Sequence, residues 1–562
     1  MLPWAGIYCF KSPVVRKSID LFVFLFITCL TACSYKMEKA DLIVHNAHIC
    51  SMDPKNTVYQ AMAIRDGRIL ELGAERQILN KYSAGKMVDA AGKTIYPGFI
   101  DAHCHFLYYA LGLREVNLVG VRSMEEVIAR IEEHRKQYSG TWIIGRGWDQ
   151  NDWEDKRFPD RTLLDSLYSD IPVYLSRVDG HAALANAKVL ELAGITPKTT
   201  IQGGEVEVIA GRCTGILVDN AMQLVDAVKP PYSDEEKIEA MMEAERNCFS
   251  VGLTGLVDAG LDVQDILLIK QAQDSGKMRM KLNIMISDKE QNIDWFRENG
   301  PLRAPSLSVT GFKFFADGAL GSRGACLLEP YSDVAGDYHG LLLSDSAYFR
   351  DMAKMCYDLG FQMNTHCIGD SANRLILTIY SEVLKGQNDR RWRIEHAQVV
   401  HSEDLGKYGA FTVIPSVQPT HATSDMYWAG ERLGKERMAS AYAFRELKEQ
   451  LGWIPLGTDF PVEDINPVNT YRAAVYRRDR EGYPPSGFQP ENALTAEDAL
   501  RGMTIWAALS FFEENDRGSL EPGKAADFVL FNMDLTKSPF EKLGEAKCLG
   551  TWINGENVFQ SE

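Results

Sequence analysis

The sequence predicts an α/β chain: a (β/α)8 TIM barrel with a large insertion after its first strand, plus a small β-sandwich built from both chain ends. Three observations carry this. Strand and helix signals alternate through the middle of the chain, the pattern of βα units. Eight segments there read as strands, at 95–103, 252–258, 280–287, 308–316, 361–367, 391–397, 411–418 and 453–459, and eight parallel strands with intervening helices close a barrel. Short β-rich runs lie outside this region, at both ends.

In chain order, the first element is a leader. Lys11, Arg16 and Lys17 precede the apolar stretch Leu21–Leu30, which is too short to span a bilayer and has a signal-peptide layout. It ends in Leu30-Thr31-Ala32-Cys33, which resembles a bacterial lipobox. Residues 1–32 are therefore expected to be a lipoprotein signal peptide, with lipid on Cys33. The expected location is the bacterial cell envelope, with the protein held on a membrane by its lipid anchor and facing the periplasm or exterior. Each buried CH₂ of such an anchor contributes roughly 0.8 kcal/mol.

Residues 34–96 and 500–562 are expected to form the composite β-sandwich. Asp41-Leu-Ile-Val-His and Ala61-Met-Ala-Ile-Arg-Asp-Gly-Arg-Ile-Leu-Glu-Leu-Gly read as strands, the second run broken by an Asp-Gly hairpin turn. Ala526-Asp-Phe-Val-Leu-Phe-Asn and the run from Cys548 to Val558 match them at the other end. Between these, residues 97–499 form the predicted barrel. Several strand-to-strand steps are near the roughly 30 residues of a βα repeat. The step from His103 to the strand at 252–258 is far longer, so an inserted subdomain is placed at about 106–250.

Composition excludes some functions. The 562 residues are 45% hydrophobic and 24% charged, with a net charge of −17. That charge argues against nucleic-acid binding, which needs a basic footprint. Eight cysteines follow Cys33 and none forms a Cys-x-x-Cys pair, so neither a zinc ribbon nor a thioredoxin-like site is expected. Cys104 and Cys367 adjoin histidines on predicted strands and should face the opposite side, in packing roles.

The chemistry concentrates at strand ends. His103 and His105 flank Cys104 at the end of Tyr96-Pro-Gly-Phe-Ile-Asp-Ala-His-Cys-His, and residues i and i+2 of a strand share a face. Lys313 lies inside the apolar run Thr310-Gly-Phe-Lys-Phe-Phe-Ala-Asp-Gly; His366, His396 and Asp459 end three further strands. Any one of them has an ordinary explanation as a core histidine, a helix cap or a snorkelling lysine. Those explanations leave the shared location unaccounted for, since barrel active sites form at the C-terminal strand ends. Weaker candidates for substrate contacts are Trp148, Asp149, Asp179 and His181 in the insertion, together with Arg323 and Gln418. His421 is a further polar contact after the seventh strand, while His339 and His401 read as surface residues.

Five segments together resemble the amidohydrolase superfamily: Pro-Gly-Phe-Ile-Asp-Ala-His-Cys-His, Phe-Lys-Phe-Phe-Ala-Asp-Gly-Ala-Leu-Gly-Ser-Arg, Asn-Thr-His-Cys-Ile-Gly-Asp, Ile-Glu-His-Ala-Gln and Gly-Thr-Asp-Phe-Pro-Val. The insertion is similar to the amidohydrolase 3 type that includes N-substituted formamide deformylases. The resemblance implies two divalent metal ions, with zinc favoured: His103, His105 and Asp459 would hold one, and His366 and His396 the other. It implies that Lys313 bridges them as a CO₂-derived carbamate, and that Asp459 is the catalytic base. The implied reaction is hydrolysis of a non-peptide C–N bond in a small-molecule amide, N-acyl or N-formyl, by a metal-activated hydroxide. A deaminase or a lactone or ester hydrolase on the same barrel is the alternative within enzymes; a non-catalytic binding lipoprotein is the alternative outside them. A homodimer is compatible with this reading.

Overall fold

The computed structural model describes residues 1, 37–136, 140–178, 180, 182–201 and 204–561. The expected leader with Cys33 lies outside the described residues, as do Asp179 and His181.

Seven parallel strands form the barrel sheet: β1 (Phe99–Cys104), β2 (Leu253–Leu261), β3 (Lys281–Ser287), β4 (Leu307–Phe315), β5 (Gln362–Cys367), β6 (Arg393–His396) and β7 (Ile414–Ser416). Each pairs with the next in chain order. Nearly every residue of these strands is buried. That is why they read as unbroken apolar runs: helices cover the outer face and side chains fill the inside.

The expected eighth strand departs from regular geometry. Residues 453–459 form no named strand, yet they fill the gap between β7 and β1. Ala102 N–H donates to Leu456 O (3.1 Å), Asp459 N–H to His103 O (2.7 Å) and Gly457 N–H to Val417 O (3.0 Å), and Val417 and Leu456 form an isolated parallel bridge. The cause is local crowding. A Cβ at position 457 would lie 2.5 Å from the His103 backbone nitrogen and 2.8 Å from Asp101 Oδ1. Only glycine lets this segment approach β1 so closely.

The helix Phe106–Gly112 leaves β1, and the helix Asp234–Ser250 returns the chain to β2. The returning helix starts with a capping box: Ser233 Oγ accepts from Glu236 N–H, and Glu236 Oε2 accepts from Ser233 N–H. Its Ala240, Met241, Ala244, Cys248 and Phe249 share the barrel core with Phe106, Leu107 and Ala110. Between these helices, strands at 116–117, 143–148, 173–177, 182–185, 204–209 and 212–219 build a separate six-stranded sheet with its own apolar clusters.

The chain ends supply two further sheets. One holds Glu38–His45, Ala61–Arg65, Arg68–Gly73 and Tyr82–Asp89; the other pairs Phe528–Phe531 with Thr94–Pro97 and with Cys548–Ile553. Leu42, Val44, Met62 and Ile64 of the first pack with Ile49, Ile95, Phe528 and Trp552 of the second. The Asp66-Gly67 turn has both φ angles positive, at 52° and 73°, as a two-residue hairpin loop requires. Among the described residues, no helix is long and apolar enough to cross a membrane.

Candidate metal centre

Strand alternation aims most of the site. Asp101, His103 and His105 occupy i, i+2 and i+4 at the end of β1. Cys104 between the histidines is buried outward, its Sγ donating to Val257 O. On β4 the same rule puts Lys313 and Phe315 on one face, and the register sets Phe315 beside His366 of β5. Two residues break the rule. Glu395 and His396 are consecutive on β6, yet both enter the barrel interior. The left-handed backbone at His396 (φ 74°) and Ala397 (φ 43°) turns the imidazole inward, and Asp459 is also left-handed (φ 62°). Such conformations cost about 1–3 kcal/mol each and persist only where the surroundings enforce them.

These side chains converge. His105 Nε2 lies 3.1 Å from Asp459 Oδ1, and His103 Nε2 lies 3.6 Å from the same oxygen. Lys313 Nζ is 3.2 Å from His103 Nε2 and 4.9 Å from the centre of the Phe315 ring. The His396 ring centre is 5.0 Å from that of His103 and 4.5 Å from that of His366. His421 Nε2 is 3.8 Å from Asp459 Oδ2.

Neighbouring residues decide which nitrogens stay bare. His103 Nδ1 is 2.5 Å from Glu395 Oε2. An ionised carboxylate only accepts, so the proton sits on Nδ1 and Nε2 carries the lone pair. Glu395 is held by Arg393, whose Nε and Nη2 donate to its two oxygens (2.7 and 2.9 Å). All three side chains are buried. His105 Nδ1 donates to Ala259 O, and His396 Nδ1 to Gln418 Oε1 (2.7 Å). Asp101 accepts from His103 N–H, Thr458 N–H and Thr458 Oγ1, tying β1 to the segment that carries Asp459. Such outer contacts orient ligands and fix their tautomers.

The electrostatics favour neutral imidazoles around an anion. Burial, aided by Lys313, pushes His103 down to about 4 and His366 to about 3. Burial also drives His396 well below the usual histidine range, with His366 adding to it. Burial alone would raise Asp459, but the imidazoles of His105, His103 and His396 packed around it outweigh burial and hold the carboxylate well below its ordinary value. Burial lowers Lys313 to about 8, within reach of the neutral amine.

The donor set fits a divalent ion. His366 Nε2, His421 Nε2 and Asp459 Oδ1 are buried without a hydrogen-bond partner. Unpaired buried polar atoms are rare and costly, and here several face one point. Neutral imidazoles with a carboxylate suit zinc and its neighbours. Among the described residues, two trios have their ligand atoms within 4.8 Å of one another: His103, His105 and Asp459, and His396, His421 and Asp459.

The family model for the amidohydrolase family matches residues 86–559. The chain belongs to the amidohydrolase family. This amidohydrolase is 33% identical over 542 residues to LONG AFTER FAR-RED 3 of Arabidopsis thaliana, covering 92% of each chain. It is 26% identical over 547 residues to the N-substituted formamide deformylase of Arthrobacter pascens, covering 92% of this chain and 98% of that one. It also resembles the structure of an uncharacterized metal-dependent hydrolase from Pyrococcus horikoshii, with a TM-score of 0.75 and 26% identity, over 89% of this chain and 99% of that one. The amidohydrolase thus has the fold of a metal-dependent hydrolase and a candidate set of metal-binding residues.

The weaker sequence candidates fare differently. Gln418 is in the site, but as a partner of His396. Trp148 is buried in the core of the inserted sheet, its Nε1 donating to Leu175 O, which makes it a packing residue there. Asp149 pairs with Arg177 (2.5 Å), and Arg323 pairs with Asp333 (2.7 Å). Sequence reasoning missed Glu395. Its signal was present in Arg393-Ile-Glu395-His396: two opposite charges at i and i+2 of a buried strand must pair with something inside.

Proposed function

We propose that this amidohydrolase hydrolyses a non-peptide carbon–nitrogen bond, in an N-formyl or N-acyl amide, with divalent metal ions. The observation that carries this reading is the convergence of unpartnered imidazole nitrogens and one carboxylate at the C-terminal mouth of the barrel. The full-length likeness to an N-substituted formamide deformylase supports the substrate class.

His103, His105 and Asp459 would hold one ion, and His366 and His396 would serve a second. Lys313, as a neutral amine, would add to CO₂ and lose a proton, and the resulting carbamate would supply an anionic oxygen ligand. A bound divalent ion supplies a Lewis acid that brings a water pKa to about 7 and polarises the substrate carbonyl. Asp459 accepts a proton at its carboxylate from the attacking water and returns it to the leaving nitrogen. Glu395, Gln418 and Ala259 O hold the imidazoles in the tautomers that leave Nε2 free.

A panel of N-formylamines, N-acyl amides, lactones and aminopurines, offered to the zinc-loaded protein, tests this. Release of amine and carboxylate from the amides is expected, falling roughly a hundred- to ten-thousand-fold in Asp459→Asn. Turnover of lactones or aminopurines alone would overturn it. We also propose that the chain is exported and anchored through Cys33, from the lipobox-like leader. Labelled fatty acid should enter the protein in a bacterial host and be absent from Cys33→Ala; equal labelling would refute the anchor.

A further inference from the structure

We propose that the cavity between the helices Pro419–Asp425 and Pro467–Tyr476 binds a small oxyanion on Arg472, Arg478 and Thr420. Carboxylate, sulfate and phosphate groups share that chemistry. The cavity holds about 140 Å³, against the roughly 30 Å³ that one water takes up in the liquid. The proposal needs no metal ion and stands apart from the hydrolytic reading above.

Three arginines, Arg472, Arg478 and Arg480, line the cavity together with two acids, Glu463 and Asp479. The acids are engaged elsewhere. Glu463 accepts from Ser424 Oγ (2.7 Å), and Asp479 accepts from the Tyr427 hydroxyl and from Tyr483 N–H (2.8 Å). Arg480 pairs with Asp464 (3.0 Å). Among the described residues, neither Arg472 nor Arg478 is within ion-pair distance of an acid, and the Nε of each is buried without a hydrogen-bond partner. Arg472 is 9% exposed, and its one hydrogen bond runs from Nη2 to Arg480 O (2.8 Å). Burial, with Arg480 adding to it and Asp479 and Glu481 opposing, holds the Arg472 pKa below its ordinary value, as expected of a buried cation without a counter-charge.

Both guanidinium groups lie over the Phe540 ring, 4.5 and 5.3 Å from its centre. The ring face attracts the charge but offers no acceptor to the N–H edge. Thr420 Oγ1 is also buried without a partner and borders the same cavity. Guanidinium N–H groups beside a hydroxyl form a donor set suited to an oxyanion. Arg477 and Arg517 each have a bare Nη1 as well. Arg477, however, is held by Phe488 O and Gln489, and Arg517 by Glu513, and neither borders this cavity.

The cavity sits beside the barrel mouth. Thr420 precedes His421, whose Nε2 is 3.8 Å from Asp459 Oδ2. Glu463 follows Val462, whose N–H donates to Asp459 O (2.9 Å). An oxyanion held there is either the acidic end of a substrate or a free inorganic ion.

Calorimetric titration of the zinc-loaded protein with sodium sulfate tests the assignment. One sulfate per chain is expected, bound about ten- to a hundred-fold more weakly in Arg478→Gln and in Thr420→Val, as the loss of one charge-assisted hydrogen bond implies. Arg472→Gln should abolish binding. Because that side chain is buried, a melt followed by circular dichroism checks its fold, and the two milder variants carry the test if it unfolds. Equal affinity in wild type, Arg478→Gln and Thr420→Val would overturn the site, as would no sulfate bound at all. Kinetics separate the two sources. If a substrate supplies the oxyanion, sulfate competes with N-formyl amino acids and not with N-formylalkylamines, and Arg478→Gln raises KM for the former alone, by about ten-fold. If the oxyanion is a free ion, sulfate binds and neither KM changes. Either pattern supports the site. Absence of turnover would remove the hydrolytic reading and leave the sulfate titration intact.

Discussion

Glu395 acts on the site through its contact with His103 and through its charge near Lys313. It takes the Nδ1 proton and is itself held by Arg393. Changing Glu395→Gln removes the charge that keeps His103 Nε2 bare. Zinc affinity should fall by about ten- to a hundred-fold, read by competitive chelator titration. The variant also leaves Arg393 buried without its counter-charge, so it should melt lower by about 3–5 kcal/mol of stability. Unchanged affinity would make Glu395 structural only. Asp258 gives a pH-dependent test. Its carboxylate accepts from Phe106 and Leu107 N–H at the start of the helix after His105, and burial, opposed by His105 and those N–H groups, pushes it up to about 6 from 3.8. The folded value lies above the unfolded one. This contribution to stability is therefore fully present below pH 3.8 and is lost as pH rises through about 6. Asparagine does not titrate. The melting advantage of the metal-free wild type over Asp258→Asn should narrow between about pH 4 and about pH 6 and stay constant above that; a widening gap over this range would contradict the assignment.

At the scale of elements, the segment 453–459 closes the barrel by proximity rather than by regular pairing. Gly457→Ala should put a methyl against the His103 backbone and Asp101. Overpacking of this kind costs about 1–3 kcal/mol, and here it also displaces the segment carrying Asp459. Thermal melting and zinc affinity should both drop, whereas an unperturbed variant would show that the approach is slack. The same segment marks how far sequence reading reached. His103, His105 and Lys313 were legible because alternation on a strand is local. His396 was legible as a strand end, but its entry into the same space as Glu395 depends on a left-handed backbone that the residue type does not announce. Glu395 and Asp101 escaped notice because the partners that tie them to the site, His103 and Thr458, lie 292 and 357 positions away. Trp148 looked like a pocket residue in an aromatic loop; its indole was instead needed by the inserted sheet's core.

For the whole molecule, the alternating strand and helix signals held the barrel, and the long step after His103 held the excursion. The pairing of Phe528–Phe531 with Thr94–Pro97 joins segments over four hundred residues apart, legible only as matching β-rich ends. Metal ions that bind the folded barrel and not the unfolded chain stabilise the whole: at a free concentration a hundred times Kd, by about 2.7 kcal/mol per site. Dialysis against a chelator should lower the melting temperature, and added zinc should restore it; a melting temperature indifferent to both would argue against ions in the core. The central claim is that the buried cluster at the barrel mouth is a metal centre. An anomalous-difference map from zinc-loaded crystals tests it most directly. A strong peak between His103 Nε2, His105 Nε2 and Asp459 Oδ1 is the predicted result. Zinc found only on the surface, with no peak within bonding reach of those three atoms, would contradict it.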